Sequence, residues 1–307
     1  MLPELIAVLT ADAELALTIM TVPANTLLPP KSPSLPVGPL EYDQRYQDQL
    51  LNVLRLYFNT LDNTLGSLLG VGSGGGKYIR FPYGAFEDTT VQTAPADTAQ
   101  VMRLDTTTYA NDISVGSHTA VFTGSITTTN LTVDTMTSGA IYLGMTLTGG
   151  AITANTLVVS QTSGTAGGAG VYVVSISQTS TSLTITGTVA SEMVVAQAGI
   201  YNLQWSGQFV NEAAAIHEVS VWIRVNGTDV VGSTGRVSIN AKHGAFDGGG
   251  IIAWNYLVEL QANEYVELWW STPDVGAYIT SLVAGTSPTR PATASVITTL
   301  TFVSALP

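Results

Sequence analysis

The sequence predicts a mainly β protein: an antiparallel jelly-roll sandwich with an inserted small β-domain, preceded by an extended arm and one long helix. Three observations carry this. Between Ala198 and Trp270 the chain alternates apolar and polar residues in three runs, AGIYNLQWSGQFV, HEVSVWIRVNGTDVV and IIAWNYLVELQANEYVELWW. Period-two alternation marks strands with one buried face. Asn226-Gly227 lies between two such runs, and a two-residue hairpin turn of this kind needs φ > 0 at both positions. Upstream, EYDQRYQDQLLNVLRLYFNTLDNTLGSLL repeats apolar residues at the helical spacing.

Residues 1–40 read as an arm. Its first half, LIAVLTADAELALTIMTV, is a strand pair or a short helix. Pro23, Pro29, Pro30, Pro33, Pro36 and Pro39 follow. Proline fixes φ and removes an amide donor, so this half is extended and has no core of its own. Leu5, Ile6, Val8, Leu9, Leu27 and Leu28 are the apolar residues by which such an arm would anchor to another protein. Asp12 and Glu14 interrupt the apolar run and no basic segment precedes it, so neither a signal peptide nor a membrane insertion is expected.

Residues 41–70 form the helix, with acids in its first turn and glycine at its end. Leu50, Leu54, Tyr57, Leu61, Leu65 and Leu68 make its apolar stripe, along a helix about 43 Å long. The stripe packs either on the helix's own domain or, as the reading preferred here, in a coiled-coil stem. Residues 71–76 are a glycine-rich joint. Gly70, Gly72 and Gly75 spell G-x-G-x-x-G, but this copy follows a helix instead of opening one, so no nucleotide site is expected.

Residues 77–121 supply the first strands of the sandwich. Residues 122–187 change character, with Thr, Ser and Gly around short apolar alternations and Asp134 as the one formal charge. They are expected to be a small β-domain inserted into the sandwich, against the alternative of one continuous β-domain. Residues 188–307 complete the sandwich, with all five tryptophans of the chain in the central cassette.

Composition narrows function. Hydrophobic residues are 45% and charged residues only 10% of 307, far below the usual charge content of roughly 25%. A single chain exposing that apolar surplus would be sticky, which points to subunit contacts. Net charge is −12 and the ten basic residues form no stripe, so no nucleic-acid partner is expected. There is no cysteine, hence no disulfide and no thiolate metal site.

No enzymatic pattern stands out. His118, His217 and His243 have no metal-ligand spacing, so neither a metal nor a cofactor is expected. Glu212, Glu218, Asp229, Asp247, Glu259, Glu264, Glu267 and Asp274 are near in sequence, but Glu218, Glu259 and Glu267 fall on the polar phase of strands and are expected on a solvated face. Lys242, His243, Phe246 and Asp247, followed by Gly248-Gly249-Gly250, form the best candidate contact loop, because loops carry function on rigid sandwiches.

The segments AGIYNLQWSGQF, VWIRVNGTDV and AWNYLVELQANEYVELWWS together resemble trimeric C1q/TNF-like jelly rolls, and in particular C-terminal domains of bacteriophage tail and fibre proteins. The helix EYDQRYQDQLLNVLRLYFNTLDN and the insert segments GSITTTNLTV and GAIYLGMTLTG are similar to parts of phage structural proteins. The resemblance covers about Leu40 to Val303. It implies a non-enzymatic virion protein: a homotrimeric tail fibre or appendage. Its arm would hold other virion proteins of the tail, adaptor or capsid, and its head would meet a host-surface glycan or protein. The alternative it leaves open is a capsid decoration, cement or head-fibre protein.

Overall fold

The computed structural model describes residues 33–69 and 81–306, with the side chains of 66–69 left aside. The expected anchors Leu5, Ile6, Val8, Leu9, Leu27 and Leu28, the joint 71–76 and the Leu68 side chain lie outside what is described. The chain divides between Phe81 and Pro82 into two units.

In the first unit, helix α1 spans Gln44–Leu69, about 39 Å. It starts three residues later than Glu41 because Asp43 caps it: the Arg45 amide donates to Asp43 Oδ1 at 2.8 Å, and the Gln47 amide to the Asp43 carbonyl at 3.2 Å. An Asp side chain at this position satisfies an amide that the helix itself leaves unpaired.

The second unit is mainly β and antiparallel throughout. Its leading strands are β1 (Tyr83–Asp88), β2 (Gln100–Val101) and β3 (Thr106–Asn111). Then come β4 (Ile113–Ser138), β5 (Thr146–Thr148), β6 (Thr156–Gly164) and β7 (Gly170–Val195). The tryptophan-rich cassette gives β8 (Gly199–Asn211), β9 (His217–Val225), β10 (Thr228–Asp229), β11 (Gly235–Ile239), β12 (Gly248–Leu260) and β13 (Tyr265–Ser271). The chain closes with β14 (Ala277–Ile279), β15 (Gly285–Thr286), β16 (Thr289–Arg290) and β17 (Val296–Ser304).

One sheet has the order β12-β8-β17-β1-β3, with β14 also on β8. The other runs β10-β9-β13-β7-β5-β6, with β11 on β9, β2 on β13 and β4 on β7. Both sheets turn their apolar phase to one core. Phe86, Tyr201, Leu203, Trp205, Phe209 and Leu300 come from the first, and Val221, Ile223, Met193, Val266, Leu268 and Trp270 from the second. Phe209 and Trp270 meet edge to face across it, ring centroids 5.9 Å apart. This is sandwich packing, with alternation deciding which residues face inward. Asn226 and Gly227 both have positive φ (48° and 76°), as the hairpin between β9 and β10 requires.

Residues 122–187 supply most of a second core, including Phe122, Ile126, Leu131, Met145, Leu147, Tyr172 and Ile185. They are not attached by loops. β4 and β7, 26 residues each, begin in the sandwich sheet at Ile113↔Val195 and stay paired to Val133↔Gly170. Register shifts near Gly116, Gly124 and Thr128 interrupt this ladder, and such bulges bend a strand. The second core also takes in Val101 and Trp269 of the sandwich sheet. Strand β13 is therefore covered on both faces: Trp270 serves the sandwich core and Trp269 the second one.

Candidate functional site

The expected contact loop is an ordered turn. Its ends are set by Asn211, fully buried at the end of β8. The Asn211 amide nitrogen donates to the carbonyls of Ala215 (2.8 Å), Ile239 (3.2 Å) and Asn240 (3.1 Å), and its Oδ1 accepts from the Ala213 amide (2.9 Å). The His243 and Phe246 backbones exchange hydrogen bonds at 2.8 and 3.1 Å, and Lys242 Nζ lies 2.9 Å from Asp247 Oδ1. That contact raises the Lys242 pKa. The glycine run that follows these residues, expected as loop, is part of β12 and pairs with Asn211 to Phe209. Gly248 runs so close to the Asn240 carbonyl that a Cβ would sit 1.7 Å from its oxygen. Lys242, His243, Phe246 and Asp247 are all exposed, with Phe246 at 80%. Beside them the Tyr278 hydroxyl donates to Glu212 at 2.5 Å, and that bond, with burial, pushes its pKa up to about 12.

The helix stripe stays half-covered. Leu50, Leu54, Tyr57 and Leu61 are partly buried and Leu65 is exposed; among the described residues of α1 no side chain is fully buried. Phe58 and Leu51 are exposed beside them.

Strand β12 forms one edge of its sheet and carries large apolar side chains in the open: Ile251 at 66%, Trp254 at 51% and Leu257 at 69% exposure. Trp254 stacks on Tyr256 (centroids 6.3 Å, planes 12° apart). Recesses of about 270 and 470 Å³ flank this strand, sharing Trp205, Ala253 and Trp254 in their linings.

A third cluster was not foreseen. Glu267 was expected on a solvated face; it is fully buried, on the phase of β13 that faces the second core. The Ser191 hydroxyl donates to its Oε1 at 2.8 Å, and Trp269 Nε1 donates to its Oε2 at 3.3 Å. His118 of β4 brings Nε2 to 2.5 Å from Oε1, a separation that requires a proton between them. Glu192 of β7 stands 3.9 Å from His118 Nδ1. Tyr142 and Trp269 close the cluster edge-on, with ring centroids 5.3 and 5.9 Å from the imidazole. Arg224 covers the Trp269 ring at 3.7 Å while its Nε bonds Asp229 at 2.6 Å. Burial works against a charged His118, but the contact and charge of Glu267, with Glu192 behind, outweigh it and raise its pKa. Burial, reinforced by Glu267 and opposed by His118, raises that of Glu192.

No short spacing announces this cluster, because its members sit on three strands far apart in the chain. A signal was nonetheless present. In YVELWWS the adjacent Trp269 and Trp270 cannot face one core, so β13 had to be buried on both sides, and Glu267 with it.

The other carboxylates are placed singly. Glu218 pairs with Arg236, Asp229 with Arg224, and Asp274 lies 3.7 Å from His217. Glu264 accepts from Asn226 and from the Gln261 amide and so fixes two turns. Comparison with protein-family models and with curated proteins returns no match.

Proposed function

We propose that this chain is a non-enzymatic structural protein of a phage virion, a homotrimeric fibre or appendage whose jelly-roll head contacts the host surface. The observation that carries the reading is the open edge strand β12, where Ile251, Trp254 and Leu257 face solvent beside two recesses. Ile251 and Leu257 project from one face of this strand and Trp254 from the other, and apolar side chains exposed on both faces of a sheet edge, on a chain so poor in charge, mark a contact between proteins. The strand orders support a jelly roll, since the two sheets are built from chain-distant strands alternating across one core. The half-covered stripe of Leu50, Leu54, Tyr57 and Leu61 supports a helical stem shared between copies.

Light scattering on the purified full chain tests the assembly. The wild type is expected at three times the chain mass, and Trp254→Arg with Leu257→Asp at one. A monomeric wild type overturns the trimer, and an unchanged mass in the double variant removes β12 from the interface. Competition of the purified protein with the phage for adsorption tests attachment. Trimer that neither binds host cells nor competes leaves the decoration or cement role in its place.

A further inference from the structure

We propose that His118, Glu192 and Glu267 form a binding site for one zinc-class divalent cation, which ties the insert-bearing ribbon to the sandwich sheet. One ligand atom from each of the three residues lies within 4.8 Å of the others. One imidazole and two carboxylates match the donors a zinc-class ion takes, at about 2.0–2.2 Å each. The inference rests on no part of the assembly proposal above.

Charge is the first argument. Glu267 is fully buried and Glu192 is mostly so, its side chain 17% exposed. Among the described residues the cations facing them are His118 and Arg224, and Arg224 is already held by Asp229 at 2.6 Å. Two carboxylates against one imidazole leave surplus negative charge in a place where an uncompensated charge is costly. A dication removes that surplus and releases the imidazolium proton to solvent.

Geometry is the second. His118 Nε2 is buried 2.5 Å from Glu267 Oε1, so a cation taking both donors replaces the proton they share. Donors on one tetrahedral zinc stand about 3.3 Å apart. Glu267 is fixed by Ser191 and Trp269, so a tilt of the imidazole opens the gap. The approach of Glu192 is also provided for. Gly116 lies under its carboxylate, and a Cβ there would come within 2.6 Å of Glu192 Oε2. Ser191 and Trp269 already hold the Glu267 carboxylate in orientation, as hydrogen bonds to the ligands do around structural metals.

The test is calorimetric titration of chelator-stripped full-length protein with Zn²⁺, alongside visible spectra with Co²⁺ and parallel titrations with Ca²⁺ and Mg²⁺. One saturable Zn²⁺ per chain is expected, with Co²⁺ bands of a nitrogen–oxygen tetrahedral site and no comparable uptake of Ca²⁺ or Mg²⁺. Glu192→Gln is expected to weaken Zn²⁺ at least tenfold while circular dichroism stays unchanged. His118→Ala is expected to abolish uptake, and His217→Ala with His243→Ala to leave it intact. If His118→Ala does not fold, the Glu192→Gln titration decides. Absence of saturable uptake, tighter or equal binding of Ca²⁺ or Mg²⁺, or uptake unchanged in Glu192→Gln overturns the site.

Discussion

Asp88 shows how a single residue sets a pH dependence. Its carboxylate is buried at the end of β1, accepting from the Thr90 amide and hydroxyl at 2.7 Å each, with Arg103 Nε 3.5 Å away. Burial outweighs the Arg103 charge and raises its pKa above the usual 3.8. The unfolded chain releases this proton first. The Asp88 contribution to stability is therefore fully present below about pH 4 and is lost as pH rises through the folded value. In urea melts from pH 3.5 to 7, the stability of wild type relative to Asp88→Asn is expected to fall with rising pH. A difference that grows with pH would mean that Arg103, not burial, governs the group.

At the scale of elements, β13 is the shared wall of two cores. Trp269 and Trp270 are both fully buried, one on each side. Trp269→Ala and Trp270→Ala are each expected to cost about 3–5 kcal/mol. Their hydrogen-exchange patterns should differ. Trp269→Ala should loosen the amides of β5 and β6, and Trp270→Ala those of β8 and β9. Equal loss in both variants would show that the two cores unfold as one. The strand's double burial was legible in the adjacent tryptophans. Its consequence for Glu267 was missed, because polar phase was equated with solvent although the opposite face had a second layer to meet.

At the scale of the molecule, the insert is an outgrowth of the sandwich and not a bead on a linker. Val121 and Thr186 face each other in the β4–β7 ladder. Replacing residues 122–185 with Asn-Gly should therefore close the ribbon as a hairpin. The shortened chain is expected to fold to an all-β spectrum with red-shifted tryptophan emission, because Trp269 loses its cover. A chain that fails to fold would mean that the sandwich needs the second core. The same construction explains why the expected boundary at 122 is not a break: Ala120 and Val189, outside it, are buried in the insert's core.

The sequence by itself determined what depends on near neighbours. Alternation along β8 and β9 fixed the inward residues, Asn226-Gly227 fixed a turn, and the three-four spacing of Leu50, Leu54, Tyr57 and Leu61 fixed the helix. Tertiary structure alone decided what depends on chain-distant partners. It carried β4 and β7 unbroken from one core into the other and made strand of Gly248-Gly249-Gly250. It also set His118 and Glu192 against Glu267. The physical reason is range. Backbone propensity and side-chain period act over a few residues, whereas burial of a carboxylate or pairing across a sheet is settled by whichever distant strand arrives beside it.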